Sequence, residues 1–299
     1  MKTAYLKTGL GKTSDKVMFI IIVIQPLMDV LSFFLNRAEV SYVTTYIRAF
    51  ILFAVYLFGF VISEHRKPYY ILTAFIVAFW VVHALICYSG GYKDPIADIA
   101  EYLKLVQVPM WTLAFISFFN SDKRSFENIH GILGLNLLII ILIIILSYAL
   151  SMPKYTYDYQ DRGIQIGIMG WFEVSNAQSA IVSVLVLPFI YAALKRKNFF
   201  IYAVACVLGI SILYFTGTRF AFYCIFIVAA AVSLIVLFSK DLKVNKLINM
   251  GPVIVLVVLV VVFKDNSPMT ERRLMASDTH GYFQELTDDI MGKDKDYIY

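Results

Sequence analysis

Residues 131–150 read GILGLNLLIIILIIILSYAL, twenty consecutive positions without an Asp, Glu, Lys or Arg. At a helical rise of about 1.5 Å per residue, such a run spans about 30 Å, the thickness of a bilayer's hydrocarbon core. Backbone amides find no water there, so a lipid-exposed segment of this kind has to be a helix that closes its own hydrogen bonds. Working outward from it, the same test finds eight more apolar runs, at about 17–35, 43–62, 69–88, 102–119, 173–194, 199–216, 219–238 and 248–263. The expected fold is therefore all-α, a polytopic bundle of about nine transmembrane helices. Composition agrees, because 60% hydrophobic and 16% charged residues over 299 positions are too apolar for a water-facing surface.

The connections give an orientation. Residues 63–68, 120–130, 195–198 and 239–247 carry paired or tripled Lys and Arg, which marks them as cytoplasmic. The intervening connections, 36–42, 89–101, 151–172 and the turn at Thr218–Arg219, are poorer in Lys and Arg, so they fall outside. All agree with an inside amino terminus, and an odd number of spans puts the carboxyl end outside. Lys2, Lys7, Lys12 and Lys16 precede a first run that carries Asp29 and no small-residue cleavage site, so it reads as an uncleaved span. The net charge of +5 sits in short clusters beside apolar runs, which fits membrane orientation and argues against nucleic acid as a partner. Cys87, Cys206 and Cys224 lie within apolar runs and are odd in number, so they read as small hydrophobes and not as a disulfide framework or metal site. With no repeat or flexible linker in view, residues 1–263 form a transmembrane domain and 264–299 a polar extracytoplasmic segment.

Ionisable groups inside spans carry the functional signal, since a charge in hydrocarbon costs a few kcal/mol unless paired or solvated. Asp29 lies six residues before the outer end of the first span and Arg48 five residues into the second. Both are then about 8–9 Å below the outer surface, at a depth where they can pair. Glu101 and Lys104 open the fourth span from outside, and Arg219 occupies the outer turn between the seventh and eighth. Two readings stand for this set: a structural bridge with a snorkelling lysine, or a polar cavity open to the outside. His83 reads as a core histidine more readily than as a base. Trp171, Tyr155, Tyr157 and Tyr159 are at a membrane boundary, where interfacial anchoring is the default and sugar stacking the alternative. Pro26, Pro109 and Pro188 interrupt spans and mark irregular packing.

Two short segments are more specific: Gly170-Trp171-Phe172-Glu173-Val174-Ser175-Asn176-Ala177-Gln178-Ser179-Ala180, leading to Pro188, and Leu213-Tyr214-Phe215-Thr216-Gly217-Thr218-Arg219-Phe220-Ala221. In these the chain resembles the O-antigen ligase and polymerase superfamily. Its members show a Gly-x-Phe…Asn-x-x-(small) entry into a span with Pro about a dozen residues on, then a span ending Thr-x-(Ser/Thr)-Arg. Phe172, Asn176, Pro188, Thr216, Thr218 and Arg219 match, and Pro26 to Asp29 looks like the start of Gram-positive members. The resemblance implies a GT-C-like, metal-independent glycosyltransferase in a bacterial cytoplasmic membrane, with no cofactor. It would move a glycan from a polyprenyl diphosphate carrier to a lipid-linked or cell-wall acceptor on the outer face.

A carrier entering from the outer leaflet needs fixed cations just below the surface, and arginine binds phosphate oxygens bidentately. The candidate set for diphosphate and glycan is thus Arg219, Arg48, Lys104, Asn176, Asp29 and Arg162, the last in the 151–172 connection. Asp158 with Asp161, and Asp94 with Asp98, are spaced unlike a metal-binding pair. Family members usually carry a second Arg and a catalytic His in a long outer loop. Arg272, Arg273 and His280 lie in that region, yet the surroundings of His280 match poorly, so no catalytic role is transferred to it. The chain stops at Tyr299 within a polar segment, which reads either as part of a larger loop or as a shortened relative. Two other classes remain beside a transferase: a polysaccharide or lipid transporter, and a non-catalytic relative.

Overall fold

The computed structural model describes residues 2–40, 42–91, 95–121, 123–159, 163–239 and 246–275. The described residues are dominated by helices: α1 (Lys2–Arg37), α2 (Tyr42–Ile62), α3 (Lys67–Ser89), α4 (Pro95–Ser121), α5 (Lys123–Ala149), α6 (Ser175–Lys195), α7 (Phe199–Phe215), α8 (Arg219–Phe238) and α9 (Lys246–Val262). Seven are long and apolar enough to cross a membrane, as the sequence leads one to expect of a polytopic all-α protein. The other two, α7 and α9, have 17 residues each. That is the lower limit for a span, about 26 Å of helix. Local chemistry sets several ends. Pro68 opens α3 where its missing N–H costs nothing, and the Asn198 side chain caps α7 by accepting from the Ile201 amide at 3.2 Å.

The chain forms two compact units, Met1–Ile132 and Leu133–Tyr299, with the division falling inside α5. In the first, α2 and α4 pack together with α1 and α3 beside them. Met18, Ile21, Val55, Ala114 and Phe118 make one core, and Leu52, Tyr56, Tyr69, Val106 and Met110 another. In lipid, apolar side chains gain little from merely leaving solvent, so polar contacts between helices help to choose partners. The Tyr69 hydroxyl bonds the Ser117 hydroxyl at 2.8 Å and donates to the Leu113 carbonyl at 3.1 Å, tying α3 to α4. Each such bond contributes roughly 0.6 kcal/mol in a membrane.

In the second unit, α6, α7, α8 and α9 pack side by side. Buried α6 residues recur at helical spacing, from Gln178 and Ser179 through Val182, Ser183, Leu185 and Val186 to Ile190, Ala193 and Leu194. Tyr202 of α7 donates to the Asn249 carbonyl of α9 at 2.9 Å, and Tyr214 does the same to the Phe263 carbonyl at 2.8 Å. Between α5 and α6 the chain departs from helix. Strands β1 (Tyr157–Tyr159) and β2 (Ile164–Ile166) pair antiparallel, with Tyr157 opposite Ile166 and Tyr159 opposite Ile164. After α9, residues 268–275 are helical again, opened by Pro268 and capped by the Ser267 hydroxyl, which accepts from the Thr270 amide at 3.3 Å.

Candidate functional site

The first unit holds the expected Asp29–Arg48 ion pair and a second one, Glu101–Lys104, that the sequence reading did not foresee. Arg48 donates to Asp29 Oδ1 at 2.7 Å and to the Ser32 hydroxyl at 3.1 Å, so one nitrogen bridges two side chains a helical turn apart on α1. The Arg48 and Asp29 side chains stay 45% and 34% exposed within this chain, so the bridge lies on the surface of its unit. Lys104 pairs with Glu101 of its own helix at 2.5 Å, and both are largely exposed. His83 is hydrogen-bonded as expected, with the Cys87 sulfur 3.7 Å from its Nε2, but it is only half-buried and stacks on Phe79 with ring centroids 6.4 Å apart.

In the second unit the two motif segments meet. Thr216 ends α7, its hydroxyl donating back to the Ile212 carbonyl at 2.5 Å. Gly217 follows at φ +76°, a left-handed value that a side chain resists. Thr218 then caps α8, accepting from the Ala221 amide at 3.2 Å. Its hydroxyl also lies 2.5 Å from that of Ser179 on α6, and both residues are buried. The small residue three places after Asn176 therefore touches the threonine before Arg219. Asn176 is exposed in the first turn of α6, and Arg219 is exposed as the first residue of α8.

The connection before α6 folds onto this turn. Lys154 and Gly170 bond each other in both directions, at 2.9 and 3.1 Å, closing the base of the hairpin. Trp171 is 6% exposed and donates to the Met152 carbonyl at 3.1 Å, so it belongs to the core of the connection; the expectation of an interfacial anchor is corrected. Gly167, at φ +75°, sits so close to the turn that an added Cβ would lie 2.7 Å from the Thr216 carbonyl oxygen. A Cβ on Gly217 would lie 3.2 Å from Pro268 and 3.3 Å from Gly167 Cα. Two glycines thus let hairpin, turn and the 268–275 helix converge.

That convergence gathers charge. The Arg272 guanidinium lies over the Tyr157 ring, 4.0 Å from its centroid. Burial pushes the Tyr157 phenol up from its ordinary value, while the positive charges of Arg272 and Arg219 pull it back in part. The phenol therefore stays neutral and keeps its proton at physiological pH. Its oxygen is buried without a hydrogen-bond partner. Among the described residues, neither Arg219 nor Arg272 has a carboxylate within ion-pair distance. Arg219 stood out in the sequence. Tyr157 stood there only as an interfacial or stacking ring, and Arg272 only by its region, because what joins them is an approach of segments more than a hundred residues apart.

Gln178 is a further buried polar group that the motif alone did not single out. It is 5% exposed and donates to the Met169 carbonyl at 3.0 Å, linking α6 to the connection before it. Arg162, Asp161, Asp94 and His280 lie outside the described residues, as does the side chain of Asp98. Among the described residues no three His, Cys, Asp or Glu side chains are grouped as the ligands of a metal ion would be.

Residues 12–286 match the sequence model of a family described as O-antigen ligase like membrane protein. No match to the chain was found among curated proteins or among solved structures.

Proposed function

Because the chain belongs to the O-antigen ligase-like membrane proteins, whose setting is lipid-linked glycan in a membrane, we propose that it transfers a glycan from a polyprenyl diphosphate carrier to an acceptor. The observation that carries this reading is the pair of arginines, Arg219 and Arg272, which act on one phenol and have no carboxylate partner among the described residues. Unpaired guanidinium groups that share one locality favour an anionic ligand, and the planar fork fits phosphate oxygens. The amino end of α8 adds its partial positive charge at the same place.

In the reaction, an acceptor hydroxyl attacks the anomeric carbon of the carrier-linked sugar. The bond from that carbon to the diphosphate oxygen breaks, the electron pair leaves with the diphosphate, and the hydroxyl proton is released to water or to the departing diphosphate. Fixed cations beside the departing oxygens stabilise charge that grows in the transition state. Asn176, exposed one turn before the Ser179–Thr218 contact, is placed by us on the glycan side of this site. We place the site on the outer face of a bacterial plasma membrane, following the distribution of Lys and Arg among the connections. Arg48, Asp29, Lys104 and Arg162 remain proposed contributors to substrate binding.

The test is Arg219→Lys, assayed as glycan transfer in membranes of cells whose only copy is the variant. A lysine preserves a long cationic side chain but loses the bidentate fork. Insertion should be normal and turnover should fall tenfold or more, about 1.4 kcal/mol per tenfold. Full turnover, with the wild type active alongside, removes Arg219 from the site.

A further inference from the structure

We infer that the Tyr157 hydroxyl is a third ligand of the anion held by Arg219 and Arg272, donating a hydrogen bond to a phosphate oxygen. The inference rests on the anion site just proposed and deepens it. A buried O–H without an acceptor is rare in folded proteins and costs about 1–3 kcal/mol, because its bonds to water are lost and not replaced. Tyr157 carries such a group. Packing of the rest of the residue accounts for the ring alone: it lies under the Arg272 guanidinium, 4.0 Å from the centroid, in a strand held opposite Ile166. Phenylalanine would serve both purposes. The oxygen therefore needs a separate reason, and its neighbours supply one.

Both nearby charges that lower the phenol's affinity for its proton are guanidinium groups. An anion drawn between them brings acceptors to a donor that has none. A neutral phenol is suited to this, since a charged O–H···O⁻ bond is short and about twice as strong as a neutral one. The ligand class is a phosphate ester or diphosphate, and two sources share that chemistry: a lipid-linked diphosphate and a free one.

The experiment compares wild type, Tyr157→Phe, Arg219→Lys and Arg272→Lys, each purified in nanodiscs. Each is titrated with a polyprenyl diphosphate and, separately, with inorganic pyrophosphate, and its thermal midpoint is recorded without ligand. For Tyr157→Phe the expected results are an unchanged or higher midpoint without ligand and an affinity about tenfold weaker, about 1.4 kcal/mol. Weakening toward both probes means that the hydroxyl reads the diphosphate itself; weakening toward the polyprenyl form alone means that the lipid-linked ligand is required. Affinity within twofold of wild type for both probes overturns the inference. If the arginine variants lose binding while Tyr157→Phe keeps it, the anion site stands and the role of the hydroxyl fails. If the arginine variants bind normally, the site itself fails. Should Tyr157→Phe not insert, 4-aminophenylalanine at position 157 decides: it keeps an N–H donor, so retained binding supports the inference and lost binding, in a folded protein, overturns it.

Discussion

Arg48 reaches two acceptors on α1 at once, Asp29 and Ser32, so removing either acid or base leaves an incomplete pair. Asp29→Asn strands a guanidinium that still holds Ser32, whereas the double variant Asp29→Asn with Arg48→Ala strands nothing. We expect the single change to destabilise more than the double. A double-mutant cycle read by denaturant unfolding in detergent should give a coupling of about 1 kcal/mol. Strictly additive losses would mean that the two do not interact. Residue identity and span depth made this pair readable from sequence, since two opposite charges at one depth in adjacent spans have few other partners. The burial of Trp171 was not readable, because a tryptophan beside a span looks the same whether its ring meets lipid headgroups or a loop of its own chain.

Turn chemistry belongs to the scale of elements, and the segment from Thr216 to Arg219 is dense with it. Thr218 caps α8 and meets Ser179 of α6, so Thr218→Val should cost about 1 kcal/mol for the cap and leave a buried serine hydroxyl short of a partner. Thr218→Ser should recover most of that loss, because the oxygen is retained. Unfolding midpoints of the two variants check this, and equal losses would count against the cap. Gly217→Ala forces a side chain into a left-handed backbone and against Pro268, 3.2 Å away. A cost of about 1–2 kcal/mol is expected for the backbone alone. Because the 268–275 helix carries Arg272, weaker binding of polyprenyl diphosphate should accompany it; unchanged binding would show that the turn does not position that helix. The threonines and glycine could be read as caps and a turn from their types. The partner of Thr218 could not, since Ser179 is 39 residues away and any small residue fits the same motif position.

At the scale of the molecule, the orientation we propose rests on the distribution of charge and is open to a direct check. In a chain whose Cys87, Cys206 and Cys224 are replaced by Ala, a cysteine at Asp158 should react with an impermeant thiol reagent from outside intact cells. One at Arg196 should react only after permeabilisation. Both side chains are exposed, so access is set by the membrane and not by packing. The reverse pattern would invert every statement about an outer site. By itself, the sequence determined the class of solvent, the helices and their approximate limits, because hydrocarbon forces each long apolar run to close its own hydrogen bonds wherever it packs. It also placed Arg219 in the turn between the seventh and eighth spans. Only the tertiary structure decided that Tyr157 and Arg272 join Arg219. Their meeting depends on two glycines that let a hairpin, a turn and a later helix approach within contact distance, and such long-range closeness leaves no periodicity or local motif in the chain.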